Sequence, residues 1–399
     1  MSKSTSSNRS HRASDLLATV EALRSVACTH AADAERMRTL APPVVDALRA
    51  SSLPSIATPE VLGGGGHGPS TQLEVFEAMT RVDTSAGWAL MVTASLSAIA
   101  GAYLPEQGVQ EVFAGRAPLF AGLLMPSGVL RAVPGGFRVD GRWAFGSGIR
   151  HADFVLTSAV VQGAPPTAAG APDLRTIVVP ASEVTIEDTW HAAGLRGSGS
   201  EHYHMRDVFV PEHRVFAFPA ARRLRGSPLY DLPLIAMLVP AHAGFALGAA
   251  RAALDVVAEA APARIMAWQQ LPLAASAAFQ MDLGRADAKL RAARAFCYEA
   301  VAKLQTRMLE GLPLSDDDWR DARLAVPLAT DVATEVTTFA FRAGGSGALY
   351  ETHPLQRLFR DVHAAAQHIA ATDDSYGHAG RMLLGTAQPH PLMAARPSA

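Results

Sequence analysis

The chain has 399 residues, of which 49% are hydrophobic, and its 35 basic and 37 acidic side chains leave a formal net charge of -2. A folded chain of this length buries roughly 75% of its unfolded surface, so the composition predicts a large globule with more than one core. The charge balance provides no field that favours nucleic acid or an anionic membrane. Two cysteines, Cys28 and Cys297, are too few for a disulfide framework and favour the cytoplasm as the compartment.

The N-terminal part of the chain is predicted to be helical. Residues 1–13 are rich in serine and free of acidic residues, a composition that predicts a disordered tail. Over residues 14–117, apolar residues recur three and four positions apart, which predicts an N-terminal α-helical domain. Within it, Asp83 or Thr84 is suited to cap the helix that follows.

Two uncharged runs, residues 84–105 and 232–250, are each near the length of a membrane span. Both are diluted by small and hydroxyl residues, and acidic rather than basic residues flank the first. We therefore predict buried helices and no membrane association. An integral membrane protein is the alternative, and it would partition with the membrane fraction.

Residues 118–221 change to a period of two, in short runs separated by Gly- and Pro-containing turns, which predicts a middle β domain. His202 and His204 lie two apart on one of these strands and would share a face. No third ligand stands nearby at the spacing of a metal site, so no metal is predicted.

Residues 222–399 return to a helical period and are predicted to form a four-helix bundle. The predicted helices cover residues 232–260, 264–310, 316–342 and 352–371.

One stretch of the β domain, residues 141–154 (GRWAFGSGIRHADF), consists of two strand-like runs around a sharp Gly-Ser-Gly break. Ser147 stands between the two glycines. A hydroxyl in this position can be brought against a planar ligand by close backbone approach, and it can both donate and accept a hydrogen bond. The alternative is an ordinary turn without a ligand.

This stretch resembles the pattern G-x-K-x-W-I-T-N-G-x-x-A-(N/D)-W of the acyl-CoA dehydrogenase superfamily. Its serine version is closer to the oxygenase components of two-component flavin-dependent monooxygenases. Three further segments are similar to superfamily motifs: VDTSAGW (82–88), WHAAGLRGSGSEHYHMRDVFVPEHR (190–214), and the glycine turn followed by Arg360 and Asp361. The resemblance implies an α+β, acyl-CoA dehydrogenase-like fold with an N-terminal helical domain, a middle β domain and a C-terminal four-helix bundle.

The resemblance also implies where a flavin and a substrate would bind. Ser147 would contact the flavin N5 atom. The full set of implied flavin contacts is Phe145, Ser147, Met125, Ser127, Arg196, Ser198, Gly344, Gly345 and Arg360. Trp88, Ser95 and Ser200 are the residues implied for the substrate pocket.

The catalytic base of the dehydrogenases is missing. Most of them place a glutamate shortly after the Arg-Asp pair, where this chain has Ile369, and residues 232–254 contain no acid for the second known arrangement. The oxygenase branch places a histidine near this turn, so the resemblance makes His368 the candidate base and His363 the second candidate. The alternative for His368 is a core histidine bonded to backbone.

The chemistry that the resemblance implies is oxygenation of a small organic substrate by O2 and reduced FMN or FAD, through a C4a-hydroperoxyflavin. Aromatic or polyketide hydroxylation, N-oxidation and S-oxidation all stay open. No dinucleotide-binding glycine motif is present, so a separate NAD(P)H-flavin reductase would supply the reduced flavin. In the family that the chain resembles, the turn matched by residues 344–347 reaches the flavin of a neighbouring subunit, so the resemblance implies a homo-oligomer, commonly a tetramer.

One departure from the oxygenase pattern concerns the helix after Gly87-Trp88. Some members of the branch have a histidine there, whereas this helix has none, and the candidates for a hydrogen bond in its place are the hydroxyls of Thr93 and Ser95. Two alternatives to a monooxygenase therefore remain: a flavin-dependent dehydrogenase without the usual glutamate, and a non-catalytic paralogue that binds no flavin.

Overall fold

The computed structural model describes residues 4–115, 117–167, 170–218 and 221–386, with side chains from residue 13 onward. The first helix, α1, spans Ser4–Met37. Helix α1 therefore begins inside the segment predicted to be a disordered tail, and the prediction for residues 1–3 lies outside the described residues. Once a helix is nucleated, each added residue gains a hydrogen bond, so a polar segment can extend it at little cost.

The N-terminal domain continues with four more helices: α2 (Pro42–Ala50), α3 (Pro69–Val82), α4 (Thr84–Tyr103) and α5 (Glu106–Val112). Helix α4 is the centre of this domain and is buried along nearly its whole length. The Asp83 side chain accepts a hydrogen bond from the backbone N–H of Ala86 at 2.8 Å, which confirms the predicted cap.

The middle domain is one eight-stranded sheet, as the period of two predicted. Seven strands lie in the order β6-β7-β3-β2-β4-β5-β8, and β1 pairs with β4. The β1–β4 and β2–β4 pairs are parallel and the others are antiparallel. The strands are β1 (Phe120–Ala121), β2 (Gly128–Val133), β3 (Gly136–Gly146), β4 (Phe154–Val161), β5 (Leu174–Pro180), β6 (Thr185–Glu187), β7 (Glu201–Pro211) and β8 (Val215–Phe216).

The C-terminal domain is helical, with a small hairpin that the sequence analysis missed. Its helices are α6 (Leu234–Ala260), α7 (Ala277–Leu309), α8 (Asp316–Gly344), α9 (Pro354–Ala365) and α10 (Asp374–Leu383), and its hairpin is β9 (Ile265–Met266) with β10 (Leu271–Pro272). The predicted helix 264–310 starts late because Pro272 ends the hairpin and Ser276 caps α7. The predicted helix 352–371 ends early because the backbone of His368 is extended.

Within the part of the chain that the structure describes, three helical segments are long and apolar enough to cross a membrane by length and composition: Thr84–Tyr103, Leu234–Ala260 and Asp316–Leu349. The first two correspond to the uncharged runs of the sequence. In this fold α4 and α6 pack against each other and against the rest of the chain, with most of their residues buried. The apolar surfaces of α4 and α6 are thus covered by other parts of the same chain.

Candidate active site

The strand β3 ends in an irregularity that changes the direction of one aromatic ring. Its pairing with β7 shifts register between Trp143 and Gly146, and Phe145 has a φ of 59°. Bulges of this kind redirect side chains, and a positive φ in a non-glycine residue is a strained conformation. The Phe145 ring is 57% exposed and stands edge-on to Trp190 and His202, with centroids 6.3 and 5.9 Å away. It therefore offers an aromatic surface to a ligand.

Directly after the bulge, Ser147 belongs to a buried chain of hydroxyls. Its Oγ accepts a hydrogen bond from Trp88 Nε1 at 3.0 Å and lies 2.7 Å from Ser200 Oγ. Ser200 Oγ is in turn 2.7 Å from Ser198 Oγ, and the Ser198 hydroxyl donates to the carbonyl of Leu195. Three predicted site residues from two distant loops are thus joined in one network.

The direction of the hydrogen bonds in this network follows from the count of protons. Each serine hydroxyl carries one proton. Because Ser198 donates to a carbonyl, which can only accept, Ser198 must accept from Ser200, and Ser200 must accept from Ser147. The Ser147 proton is committed to this chain, so toward a ligand Ser147 can act only as an acceptor.

The second loop, residues 195–200, is held in place by backbone contacts. Leu195 and Gly199 both adopt positive φ, and the N–H of Gly148 donates to the carbonyl of Ser198 at 2.8 Å, which ties the two loops together. Arg196, a predicted flavin contact, begins the short 3-10 turn between them, and its Nε is buried without a hydrogen-bond partner among the described residues. A buried guanidinium N–H without a partner indicates room for a ligand acceptor.

Trp88 connects the hydroxyl chain to a buried aromatic cluster. Its ring is edge-on to Phe245, His242 and His368, with centroids 5.1, 5.6 and 5.9 Å away. The two imidazoles stack on each other with centroids 4.1 Å apart and an interplanar angle of 27°. Side chains from α4, α6 and the turn after α9 therefore meet beside Ser147.

His368 lies where the sequence analysis placed its candidate base. Its Nδ1 accepts a hydrogen bond from the backbone N–H of Ala370 at 3.1 Å, and burial lowers its pKa to about 4. The ring is therefore neutral near pH 7. His363, the second candidate, lies elsewhere: its ring packs on Phe359 at 4.2 Å, and its Nε2 is 3.3 Å from Thr338 Oγ1.

Sequence reasoning did not select His242. It was noted only as a polar residue within an apolar run, and one histidine in a buried helix is usually a core residue. The structure shows the ring buried, and burial together with the neighbouring His368 lowers its pKa well below its ordinary value. The available signal was that His242 is the one ionisable side chain in the uncharged run 232–250.

The other predicted flavin contacts lie outside this cluster. Met125 and Ser127 are on the exposed segment between β1 and β2. Gly344 and Gly345 end α8, where a Cβ on Gly345 would come within 2.1 Å of Arg264 Nη2. Arg360 is engaged within the chain, by Glu35, Gln356 and the carbonyl of Ala193. Their roles toward a flavin stay predictions.

A cavity of about 40 Å³ lies between α4 and α6. Ser95, predicted for the substrate pocket, lines it two turns after Trp88 on the same helix. Thr93 is committed elsewhere, because its hydroxyl accepts from the backbone N–H of Phe120. Further lining residues are Ile99, Tyr230, Met237, Leu238 and Pro240. The cavity thus borders the segment of α6 that carries His242.

His202 and His204 each contact a charged side chain on the sheet surface. Arg142 contacts His202 at 2.9 Å, and Glu187 contacts His204 at 3.0 Å. Within the described residues, no group of three or more His, Cys, Asp or Glu side chains is arranged to hold a metal ion.

Comparison with known proteins identifies relatives over nearly the whole chain. The family described as "Acyl-CoA dehydrogenase, C-terminal domain" matches residues 241–373. Indole-3-acetate monooxygenase of Pseudomonas putida is 33% identical over 360 residues, which cover 90% of each chain. The oxygenase component of FADH(2)-dependent resorcinol hydroxylase from Rhizobium sp. is 30% identical, over 86% of this chain and 87% of that protein.

Among solved structures, XiaF from Streptomyces sp. in complex with FADH2 and glycerol superimposes with a TM-score of 0.88. It is 29% identical and the match covers 96% of this chain and 98% of XiaF. The fold is therefore the acyl-CoA dehydrogenase-like architecture that the motifs predicted. The chain belongs to the acyl-CoA dehydrogenase superfamily, within its branch of flavin-dependent monooxygenase oxygenase components.

Proposed function

We propose that this oxygenase component takes up reduced FAD and O2 and hydroxylates a small aromatic substrate that bears an O–H or N–H group. The observation that carries the proposal is that Trp88 contacts both Ser147 and the buried pair of His242 and His368. Ser147 can only accept a hydrogen bond from a ligand, and the two histidines lie beside it. The names of two relatives support the substrate class, since indole-3-acetate and resorcinol are electron-rich rings with N–H or O–H groups. FAD is favoured over FMN by the FADH2-dependent hydroxylase and by the XiaF complex.

The residues of the site fit a flavin. Phe145 offers an aromatic surface, Ser147 offers an acceptor to a ring N–H, and Arg196 has a buried N–H without a partner. When bound, a reduced flavin supplies the two electrons that place one atom of O2 in the substrate and release the other as water. The protein residues orient the ring, keep water out of the aromatic cluster and manage the substrate proton.

The dehydrogenase alternative does not fit the site. At the position of the usual glutamate, the Ile369 side chain is 64% exposed and has no group that accepts a proton. Helix α6 has no acidic residue before Asp255, more than three turns beyond His242. Neutral imidazoles and serine hydroxyls are the polar groups present beside Trp88.

We also propose the setting of the enzyme. Reduced flavin would come from a separate NAD(P)H-flavin reductase, as expected for an oxygenase component. The enzyme would work in the cytoplasm as a homo-oligomer, with a tetramer as the expected form. Support for the compartment is that both Cys28 and Cys297 are free thiols.

The test begins with anaerobic titration of the purified protein with reduced FAD and reduced FMN. Each complex is then mixed with oxygenated buffer that contains resorcinol or indole-3-acetate. We expect tighter binding of reduced FAD, formation of hydroxylated product and little hydrogen peroxide. Failure to bind either reduced flavin, or binding that releases only peroxide with every aromatic tested, would contradict the proposal.

Ser147→Ala is the first variant, because it removes the acceptor that faces the flavin. We expect hydrogen peroxide to replace much of the product, with a loss of up to about tenfold in product per flavin, the effect of one neutral hydrogen bond worth about 0.5–1.5 kcal/mol. Ser158→Ala is the matched control. It also removes a buried serine hydroxyl, which lies 2.9 Å from Thr176 Oγ1 inside the sheet.

A further inference from the structure

The two stacked imidazoles, His242 and His368, differ in what they can do: one can donate a hydrogen bond to a ligand and the other can accept a proton from it. The two rings are 4.1 Å apart, arise from different elements and share Trp88 as an edge-on neighbour. Stacked imidazoles at this distance cannot bond each other edge to edge, so each ring presents its nitrogens separately. The protonation of each ring can be followed from its own contacts.

His368 is the donor. Its Nδ1 accepts the N–H of Ala370, and a ring nitrogen that accepts a hydrogen bond carries no proton. In the neutral ring the proton is therefore on Nε2. Protonating Nδ1 would place two N–H groups against each other. This geometry makes His368 a poor proton acceptor, and it revises the role of base that the sequence indicated.

His242 is the acceptor that remains. Among the described residues, no hydrogen bond reaches either of its ring nitrogens, although the ring is only 9% exposed. A neutral imidazole has one nitrogen that can accept. The neighbouring polar groups cannot take up the proton in its place, because the Trp88 N–H is a donor only and the Ser147 hydroxyl, although it can accept a hydrogen bond, is a far weaker base than a neutral imidazole.

We propose that His242 accepts the proton of the substrate O–H or N–H group while His368 donates a hydrogen bond from Nε2 to a substrate or oxygen acceptor. The inference rests on the proposed function and deepens it, because it limits the best substrates to phenols and indoles with a free O–H or N–H. It also compensates for the histidine that is missing from α4, since the acceptor comes from α6 instead.

The step balances. One substrate, one O2 and the two electrons and two protons of reduced flavin give hydroxylated product, oxidised flavin and one water. His242 takes the O–H or N–H proton as the ring carbon bonds to oxygen. It then passes that proton to the oxygen that leaves as water, and the hydrogen lost from the ring carbon restores the O–H or N–H group.

The first arm of the test needs neither flavin nor turnover. Nitrogen NMR of protein labelled with ¹⁵N-histidine reports the tautomer of each ring, and His242→Gln and His368→Gln assign the two sets of signals. We expect His368 to be neutral with its proton on Nε2, and His242 to be neutral. A proton on Nδ1 of His368, or a charged ring at either position at pH 7, would overturn the assignment even if the monooxygenase function stands.

The second arm measures turnover with resorcinol and its dimethyl ether. In His242→Gln we expect kcat for resorcinol to fall by at least ~100-fold, the usual contribution of proton transfer, with a smaller change in KM and with peroxide replacing product. Reduced-flavin affinity should stay unchanged. His213→Gln is the control, since His213, in the turn before β8, contacts Glu111 on α5 at 2.8 Å. Normal coupling in His242→Gln, or equal use of the dimethyl ether by the native enzyme, would overturn the proposal.

Discussion

At the scale of single residues, the site depends on where a few protons reside. Ser147 is an acceptor toward its ligand because its own proton passes along Ser200 and Ser198 to a carbonyl. Neither Ser198 nor Ser200 need touch the ligand to have this effect. The same kind of reasoning assigns a donor role to His368 through a single backbone N–H.

Replacing Ser200 tests this chain of hydrogen bonds. In Ser200→Ala the Ser147 proton loses its acceptor and becomes free to point toward the ligand, where a donor would meet the N–H of reduced flavin. We expect reduced-flavin affinity to fall about tenfold, the value of one poorly matched hydrogen bond. Titration under anaerobic conditions measures it, with Ser158→Ala as control. Unchanged affinity would mean that Ser147 keeps its orientation without Ser200.

Motifs could predict Ser147, Phe145 and Trp88 because each belongs to a local sequence pattern with a particular backbone shape. His242 could not be predicted in that way. Its neighbours in space, His368 and Trp88, are more than 100 residues away in the chain. The sequence of helix α6 contains no motif that identifies His242 as a functional residue. Only the packing of three elements brings it beside Trp88 and His368.

At the scale of elements, one carboxylate joins three parts of the chain. Asp361 on α9 accepts hydrogen bonds from the backbone N–H of Leu195, at 2.6 Å, and from the hydroxyl of Thr84 at the start of α4. It is fully buried, and burial raises its pKa to about 6. The loop that carries Ser198 and Ser200 is therefore positioned from α9.

Asp361→Ala should destabilise the protein strongly, because it leaves two buried donors without a partner. Each such donor costs about 1–3 kcal/mol, so we expect a loss of roughly 3 kcal/mol in the free energy of unfolding. Asp361→Asn keeps an acceptor for Leu195 and should lose less than half as much. Denaturation in guanidinium chloride measures both. Equal losses in the two variants would contradict the bridging role.

Helix and strand periods predicted most elements correctly, but the ends of two helices required local chemistry. The hairpin at 265–272 was hidden in a helical pattern, and only Pro272 pointed against it. The end of α9 depends on the His368 side chain, which bonds the backbone of Ala370 in place of a continuing helix. Side chains that compete for backbone N–H groups are a recurring reason for such errors.

At the scale of the whole molecule, the missed hairpin is a candidate contact between subunits. Trp268 at its tip is 96% exposed, and Ile265 and Leu271 beside it are 54% and 52% exposed. A cluster of large apolar side chains around a fully exposed tryptophan is typical of a surface that another chain covers. Arg264, at the base of the hairpin, contacts Gly345, so the hairpin adjoins the glycine turn predicted to reach a neighbouring flavin.

Trp268→Ser should therefore weaken the proposed oligomer. We expect sedimentation velocity to show a shift of the native species toward smaller assemblies, with the secondary structure unchanged. Val61→Ser, at a 76% exposed valine in the N-terminal domain, is the control and should leave the distribution as it is. An oligomer that is equally stable in Trp268→Ser would place the subunit contact elsewhere.

The dependence of stability on pH tests the burial of the site as a whole. His151 and His368 have pKa values lowered to about 4 by burial, so between pH 6.5 and 4 the unfolded chain binds protons that the folded chain does not. Stability then falls on acidification by up to about 1.4 kcal/mol per pH unit for each such ring. Asp361 acts in the opposite direction, because its raised pKa makes the folded chain bind a proton between about pH 4 and 6.

Asp361→Asn should therefore steepen the loss of stability on acidification. Removing this one of the buried carboxyls that oppose the histidines adds a slope of up to about 1.4 kcal/mol per pH unit between pH 6 and 4. Guanidinium chloride unfolding at half-unit pH steps measures the difference, and Asp331→Asn, which alters a contact with Tyr376 at the surface, is the control. Parallel pH profiles for Asp361→Asn and the native protein would mean that Asp361 is ionised in the folded state throughout this range, and that its site is less dry than its burial indicates.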